Sequence, residues 1–218
     1  MEGLEFSLGK ENHGYASVGG GMTLSKDAAL ELLRQQIDES CKVKRSFSTE
    51  LLNAILSLVQ KTAHAYKAGN KVLLMGNGGS AADAQHIAAE LVAKLRIRRK
   101  ALAAIALTTD SSILTAVSND FGFEECFSRQ VEALGVAGDI VIAISTSGRS
   151  RNVVRAVASA REIGCYTAAF TGRTGGDLAG KIDSLLAVPS EETQRIQEAH
   201  GLIGHMYCDL LERELFEP

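Results

Sequence analysis

The 218-residue chain contains 45% hydrophobic and 22% charged residues, a composition typical of a soluble globular protein with one sizeable core. Its formal net charge of −3 provides no general attraction for nucleic acid, so any such binding would have to be local. The four cysteines lie far apart, which fits a reducing cytoplasm, and no apolar run approaches the roughly 20 residues of a membrane span. These totals predict a cytoplasmic protein that is neither exported nor embedded in a membrane.

The N-terminal segment, residues 1–21, shows no sustained hydrophobic periodicity and ends in three glycines just before Met22. Such a segment is typical of a disordered leader, a cloning remnant or a translation start upstream of the true one. We therefore exclude it from the folded region and predict a single domain over residues 22–218.

Two helices are predicted before the first strand. Residues 23–44 and 49–68 place apolar side chains at helical spacing, and Ser48 is suited to accept hydrogen bonds from the first free N–H groups of the second helix. Gly69 and Asn70 follow that helix, and both residue types commonly end one.

Residues 71–90 combine a strand, a glycine-rich turn and a helix. The apolar run 71–75 predicts a buried strand, and we expect a helix to begin at Ser80. Glycines at 76, 78 and 79 lie between them, and glycine lets the backbone adopt positive φ and bring its N–H groups close to a ligand. Because a helix N-terminus also carries partial positive charge, this turn is predicted to bind an anion.

Further strands and helices follow in alternation. Short continuous apolar runs are typical of strands buried on both faces of a parallel sheet, and helical patterns between them fit crossover connections. The strands are predicted at 102–107, 139–145, 166–171 and 184–188, and the helices near 111–118, 123–135, 150–163 and, last and longest, 192–215. This order predicts an α/β fold, in which the apolar face of the last helix packs on the sheet or on another subunit.

A second loop of similar chemistry follows the strand at 139–145. It reads Ser145-Thr146-Ser147-Gly148-Arg149-Ser150 and leads directly into a helix, so its hydroxyl and backbone N–H groups can donate to phosphate oxygens. In open α/β sheets, loops at the carboxyl ends of neighbouring strands form the ligand site. The alternative is that these residues only cap helices, and the presence of two such loops favours a ligand.

The class of ligand follows from what the glycine turn lacks. Asn77-Gly78-Gly79-Ser80 has no lysine of the kind that nucleoside triphosphate loops require, and it does not follow the spacing of the dinucleotide-binding glycines. A single small phosphate ester is therefore predicted rather than a nucleotide.

Four side chains on two helices are candidates for the chemistry. His86 and Glu90 are four residues apart and share a helix face, and Gln197 and His205 lie about two turns apart on the last helix. Two imidazoles, a carboxylate and an amide oxygen suit zinc or a similar divalent ion. The same carboxylate and imidazole can also move a proton between adjacent carbons, as in aldose–ketose isomerisation. Solvated or hydrogen-bonded side chains without a ligand are the third interpretation.

Several motifs, in this order, resemble the sugar isomerase (SIS) domain family. They are Gly76-Asn77-Gly78-Gly79-Ser80, His86 with Glu90, Asn119-Asp120-Phe121-Gly122-Phe123, Ser145-Thr146-Ser147-Gly148, and Arg195-Ile196-Gln197-Glu198 with His205. The resemblance covers nearly the whole chain, residues 22–215. It implies a three-layer, flavodoxin-like α/β sandwich whose central five-stranded parallel sheet is flanked by helices, with two N-terminal helices and a long C-terminal helix.

The resemblance also implies an activity. It is strongest to members that convert sedoheptulose 7-phosphate to D-glycero-D-manno-heptose 7-phosphate, a precursor of bacterial surface polysaccharide such as lipopolysaccharide. Those members imply a homotetramer with active sites at subunit interfaces. Membrane partners are not expected, and nucleic acid is not an expected partner either.

Particular residues receive roles from the same resemblance. Glu90 would be the base that moves a proton between C1 and C2 through an enediol, and His205 would be the acid across the site. One zinc ion per subunit would be held by His86, Glu90, Gln197 and His205. The implied substrate-binding residues are Asn77, Gly78, Gly79, Ser80, Glu90, Asn119, Asp120, Ser145, Thr146, Ser147, Ser150 and Gln197.

Three positions depart from the family pattern. Lys94 stands where an arginine is usual, Gln194 where an acidic residue is usual, and Arg149 where an asparagine is usual. A lysine lacks the bidentate fork of arginine, and Arg149 adds a cation beside the second loop. The choice of substrate near these positions is therefore open.

Two other functions also stay open from the sequence. A non-enzymatic relative in the family binds the replication initiator protein as a tetrameric scaffold, and the basic cluster at residues 94–100 would suit a partner surface. That relative lacks the carboxylate and the matching histidine, so Glu90 together with His205 favours an enzyme. An isomerase or a sensor of another sugar phosphate would use the same two loops.

Overall fold

The structure is a computed structural model that describes residues 24–217. The predicted leader, residues 1–21, lies outside the described residues. The described chain falls into two units, one ending at Gln36 and one beginning at Ile37. The single domain predicted over residues 22–218 stays a prediction.

The first unit contains the beginning of helix α1 (Lys26–Arg45). Ser25 caps this helix, because its hydroxyl oxygen accepts the N–H of Ala28 at 3.2 Å. Glu31 and Arg34 form an exposed ion pair one turn further on, at 3.8 Å. The first helix predicted from the sequence is therefore present, with bounds shifted by a few residues.

The second unit holds the rest of α1 and the alternating strands and helices. Ser48 caps α2 as predicted, accepting the N–H of Leu51 at 3.3 Å. None of the helices within residues 24–217 has the length and hydropathy needed to cross a bilayer. The elements are α2 (Thr49–Lys67), β1 (Val72–Gly76), α3 (Gly79–Val92), β2 (Ala104–Ala106), α4 (Ser111–Asp120), α5 (Ser128–Leu134), β3 (Ile140–Ile144), α6 (Arg151–Ile163), β4 (Tyr166–Thr171), β5 (Ser184–Ala187) and α7 (Thr193–Phe216).

The five strands form one parallel sheet in the order β2-β1-β3-β4-β5. Every residue of β1 and β3 is buried, which explains why both strands are continuous apolar runs in the sequence. The predicted α/β sandwich with a five-stranded parallel sheet and a long C-terminal helix is confirmed.

Two elements differ from the prediction. The strand expected over 102–107 is reduced to β2, because this edge strand pairs only with β1 and its central Ile105 is 38% exposed. The helix expected over 123–135 is divided into a 3₁₀ turn at Phe123–Glu125 and the short helix α5. The break falls where the side chains of Cys126 and Phe127 enter the core.

Helices cover both faces of the sheet. Leu74 and Ile142 belong to the core cluster that includes buried residues of α2, α3 and α7. Their chain neighbours Leu73 and Val141 point to the other face, where α5 and α6 pack. This alternation makes the three layers, and it places α3 and α7 on the same face of the sheet.

Candidate functional site

The two predicted loops lie side by side at the carboxyl ends of two neighbouring strands. Strands β1 and β3 are neighbours, with Gly76 opposite Ile144 at their carboxyl ends. The loop after β1 (residues 76–80, loop 1) and the loop after β3 (residues 145–150, loop 2) therefore begin next to each other. Asn77 of loop 1 and Asn152, in the first turn of α6 directly after loop 2, exchange two side-chain hydrogen bonds, each of 2.9 Å.

Loop 1 needs its glycines for three different reasons. A Cβ at Gly76 would lie 2.6 Å from the backbone oxygen of Ser80, and Gly78 has a positive φ of 55°. At Gly79, where α3 begins one residue earlier than predicted, a Cβ would overlap the side-chain amide of Gln197. The last contact brings α7 against loop 1. Ser80, a predicted substrate contact, is only 6% exposed.

Loop 2 carries hydroxyl groups in front of α6, of which Ser147 is exposed and Ser145 is only 4% exposed. The hydroxyl oxygens of Ser145 and Ser150 lie 3.1 Å apart, and the hydroxyl oxygen of Ser147 accepts the N–H of Arg149 at 3.2 Å. Ser150 immediately precedes α6 but makes no capping hydrogen bond through its side chain. The capping alternative therefore does not account for Ser150, although Ser147 does turn inward to its own loop.

A cavity of about 360 Å³ opens beside loop 2. Thr146 and Ser147 line it from this loop, and Arg149 and Arg173 bring two guanidinium groups to its wall. Glu191 also lines it and lies 3.9 Å from Arg173. The cavity thus presents cationic and hydroxyl groups beside one carboxylate, and the cations and hydroxyls suit an anionic ligand.

Three of the four predicted metal ligands come together between α3 and α7. The Nε2 atoms of His86 and His205 lie 2.9 Å apart, and Glu90 Oε1 lies 3.7 Å from His86 Nε2. One ligand atom from each of the three residues falls within 4.8 Å of the others. Two imidazole nitrogens and a carboxylate oxygen form a donor set that fits zinc. Gln197, the fourth predicted ligand, lies on α7 with its amide at Gly79.

The remaining predicted contacts lie on α4. Asn119 and Asp120 form the end of this helix, and both side chains are exposed. Asn119 Nδ2 donates to Asp120 Oδ1 at 2.8 Å. The structure of this chain does not bring the pair into hydrogen-bond contact with either loop among the described residues.

A family model described as a SIS domain matches residues 35–172, more than half of the chain. The chain belongs to the SIS domain family. The predicted resemblance is confirmed, and the two loops and the α3 part of the metal cluster lie within the matched region.

Named relatives agree with this assignment. A phosphoheptose isomerase of Geobacter sp. (strain M21) is 54% identical over 187 residues, covering 86% of this chain and 97% of the relative. One of Aquifex aeolicus is 53% identical over 188 residues, with 86% and 98% covered. The solved phosphoheptose isomerase of Neisseria gonorrhoeae has a TM-score of 0.80 at 43% identity, covering 84% of this chain and 98% of that one.

The three departures from the SIS pattern occupy exposed positions. Lys94 follows α3 and is solvent-exposed, and Arg149 lies on loop 2 at the cavity described above. Gln194 is exposed in the first turn of α7 and donates to Glu192 Oε2 at 3.4 Å. Of these, Arg149 is the one that reaches a loop predicted to bind substrate.

Sequence reasoning missed two polar residues of this SIS domain. Asn152 is 3% exposed and bonds from α6 to Asn77 of loop 1, but a single asparagine inside a helix carries no signal of that contact. Asp83 lies three residues before His86, on the same face of α3, and its Oδ2 is buried without a hydrogen-bond partner among the described residues. Burial raises the pKa of Asp83, and the nearby His86 opposes that rise. The spacing to His86 was the available signal.

His200 lies outside the metal cluster. It is fully buried, stands beside Phe170 with ring centroids 5.9 Å apart, and its Nε2 lies 3.2 Å from the backbone oxygen of Thr171. Burial lowers the pKa of His200 to about 4, while the hydrogen bond to Thr171 opposes that fall. His200 therefore anchors α7 to β4 as a neutral side chain.

Proposed function

We propose that this SIS domain is a phosphoheptose isomerase that converts sedoheptulose 7-phosphate to D-glycero-D-manno-heptose 7-phosphate in the cytoplasm. The observation that carries the proposal is the close grouping of His86, Glu90 and His205 on α3, which begins in loop 1, and on α7, which meets that loop at Gly79. The relatives named phosphoheptose isomerase support the substrate class. The product would serve the synthesis of a surface polysaccharide.

The reaction requires a base and an acid near C1 and C2 of the sugar. Glu90 would take a proton from C1 of the ketose while His205 protonates the oxygen on C2, which produces the enediol. Glu90 would then return its proton to C2, and His205 would remove the proton from the oxygen on C1, leaving the aldose. Because Glu90 is partly shielded, at 19% side-chain exposure, the proton it holds is favoured to return to the sugar rather than to solvent.

The phosphate end of the substrate would bind at loop 2. Ser145, Thr146, Ser147 and Ser150 offer hydroxyl groups there, and the beginning of α6 offers backbone N–H groups. Asn77, Gly78, Gly79 and Ser80 of loop 1 would contact the sugar between the phosphate and the reacting carbons. Arg149 would add a charge-assisted contact in place of the asparagine that is usual in the family.

The metal in this proposal is one zinc ion held by His86, Glu90, His205 and Gln197. Bound there, it would polarise the oxygens on C1 and C2 as a Lewis acid. The nitrogen and oxygen donors that the cluster presents are those that zinc takes from histidine and carboxylate side chains.

A homotetramer with the site at a subunit interface is part of the proposal. The end of α4 and the turn after it expose apolar surface, because Phe121 is 59% and Phe123 is 58% exposed. Asn119 and Asp120 lie in the same region. A neighbouring subunit that covers this surface would bring these two side chains to the sugar of another site.

The test is a coupled assay of the purified protein with sedoheptulose 7-phosphate, beside hexulose and pentulose phosphates. Three arms are run: protein as purified, protein treated with a chelator, and chelated protein with zinc restored. We expect turnover with the seven-carbon substrate, its loss on chelation and its recovery with zinc.

Each contrary result identifies the part that fails. Turnover that survives complete chelation removes the metal from the proposal, and a faster reaction with a hexulose or pentulose phosphate replaces the substrate. Absence of turnover with every sugar phosphate would refute the isomerase and leave the scaffold or the sensor as the explanation of the fold.

A further inference from the structure

A buried ion pair links the segment after α3 to the end of α7. Arg99 Nε donates to Glu212 Oε1 at 3.0 Å, and the two side chains are 1% and 2% exposed. Arg99 belongs to the basic cluster of residues 94–100, but its burial makes it unavailable for a nucleic-acid or partner surface.

Glu212 is fully engaged by the segment that it faces. Its carboxylate accepts the backbone N–H groups of Leu95, Arg96 and Ile97 at 2.8, 2.9 and 3.0 Å. Burial opposes its ionisation, but these hydrogen bonds and the charge of Arg99 outweigh burial and hold the pKa of Glu212 below its ordinary value. The carboxylate therefore organises three consecutive peptide groups and a guanidinium at once.

The guanidinium of Arg99 turns back to the end of α3. Its Nη2 donates to the backbone oxygen of Glu90 at 2.9 Å, and its Nη1 donates to that of Leu91 at 2.8 Å. The last carbonyls of a helix have no partner within the helix, and a cation at this end is favoured by the helix dipole. Arg99 thus holds the peptide group of Glu90 itself, the residue proposed as the base.

The other end of the link lies on the face of α7 that carries the proposed acid. Glu212 is seven residues after His205, which is two turns, so both side chains lie on one face about 10 Å apart along the axis. The two helices also approach closely beside the histidines, because a Cβ at Gly204 would lie 2.9 Å from Ile87 Cγ1. Arg99 and Glu212 therefore secure the alignment of α3 with α7 two turns from the cluster.

We infer that Arg99 and Glu212 are positioning residues that hold Glu90 and His86 of α3 at the correct separation from His205 of α7. The inference rests on the proposed function for its catalytic consequence, but its structural content is the spacing of the metal ligands. Removal of a group that holds a metal-binding residue in place typically lowers metal affinity or activity by about 10–100-fold. The substrate phosphate would bind at loop 2, which the pair does not touch.

Two substitutions test the pair. Arg99→Lys keeps the charge but loses the fork that reaches Glu212 and two backbone oxygens together, and Glu212→Gln keeps the shape but removes the negative charge. We expect each to weaken zinc binding, measured by competition with a chromophoric chelator, by about 10–100-fold. We expect kcat to fall by a similar factor while KM for sedoheptulose 7-phosphate changes less than about two-fold.

Arg96→Lys is the matched control. Arg96 pairs with Asp209 of α7 from the same segment, but this pair is exposed, at 64% and 30% of the two side chains, and does not reach α3. We expect its zinc affinity and kcat to equal those of the unmodified protein. The fold-loss of the double variant of Arg99 and Glu212 is expected to be smaller than the product of the two single-variant losses, because the two side chains share one ion pair.

Thermal unfolding separates positioning from a purely structural role. All variants are measured well below their melting temperatures and with the folded fraction known from circular dichroism. Variants that melt earlier but keep full zinc affinity and kcat per folded molecule would overturn the inference. So would a change confined to KM, or an unmodified protein that binds no zinc. Zinc binding without turnover in the unmodified protein would refute the proposed function alone, and the zinc affinities of the variants would still decide the inference.

Discussion

The amino and carboxyl ends of the parallel strands are built in opposite ways. At the amino ends of the strands, the buried carboxylate of Asp139 accepts hydrogen bonds from the backbone N–H groups of Lys71 and Val136, from Lys71 Nζ and from Asn70. Burial opposes its ionisation, but these contacts hold the pKa of Asp139 below its ordinary value. At the carboxyl ends of the strands, Ser147 and Arg149 of loop 2 are exposed and line the cavity described above.

The difference shows where this fold keeps its stability and where it keeps its chemistry. A carboxylate that has four donors and no exposed surface is a structural element that a ligand cannot approach. Hydroxyl groups and glycine-rich backbone at the carboxyl ends of the strands are left for a ligand to complete. Substitution of Asp139 should therefore lower stability, and substitutions in the candidate site should lower activity.

Glu90→Gln should produce the largest effect. It removes the proposed base but keeps the size of the side chain, and general bases typically contribute about 10²–10⁴-fold to rate. We expect kcat for sedoheptulose 7-phosphate to fall by about that factor with the unfolding transition in urea little changed. Glu214→Gln, an exposed glutamate on α7, is the control and should retain full activity. Near-normal turnover in Glu90→Gln would remove Glu90 from the mechanism.

Asp139→Ala, at the amino ends of the strands, should lower stability and leave activity nearly unchanged. It leaves a buried set of N–H donors and the Lys71 ammonium without their acceptor, and breaking a buried pair in this way typically costs about 3–5 kcal/mol. We expect that loss in the free energy of unfolding measured with urea, and kcat within about two-fold of normal for the folded fraction.

The control for Asp139 is an exposed acidic residue. Glu132 pairs with Arg129 at 3.4 Å, with 46% and 52% of the side chains exposed, so Glu132→Ala should change stability by less than about 1 kcal/mol. If Asp139→Ala is as stable as the control, the buried carboxylate of Asp139 is not the stabilising element described above.

Ser147→Ala should give the smallest effect. Its exposed hydroxyl is one of several donors proposed for the substrate phosphate, and a hydrogen bond to a charged group contributes about 1.5–3 kcal/mol. Because neighbouring donors and water compensate in part, we expect KM to rise about ten-fold with kcat nearly unchanged. Ser159→Ala, on α6 but bonded to Glu132 away from loop 2, is the control. An unchanged KM in Ser147→Ala would exclude this hydroxyl from phosphate binding.

The predictions from sequence succeed where a local pattern carries the information. Continuous apolar runs identified β1 and β3, and the glycines at 76, 78 and 79 identified a turn that has positive φ at Gly78 and no room for a Cβ at Gly76. The four-residue spacing of His86 and Glu90 correctly placed them on one helix face. These features depend on residues near each other in the chain, so their physical causes can be read there.

The predictions fail or stop where a feature depends on distant parts of the chain. β2 is shorter than its apolar run because it lies at the edge of the sheet. No local pattern predicts that the side chains of Cys126 and Phe127 enter the core and interrupt the helix. Asn152 received no role because its partner, Asn77, is 75 residues away. Asn119 and Asp120 stay a prediction, since their proposed contact lies beyond a single chain.

The sequence by itself determined the fold class, the family, the two loops and the chemical types of the candidate site, because periodicity, glycine positions and residue spacing express them locally. Only the tertiary structure decided that His86 and His205, 119 residues apart, meet at 2.9 Å. It also decided that Arg99, which looks like one of several surface cations, is buried against Glu212, 113 residues further along. Such contacts arise from the packing of α3 against α7, because burial converts a charge into a structural group only when a partner from elsewhere in the fold satisfies it.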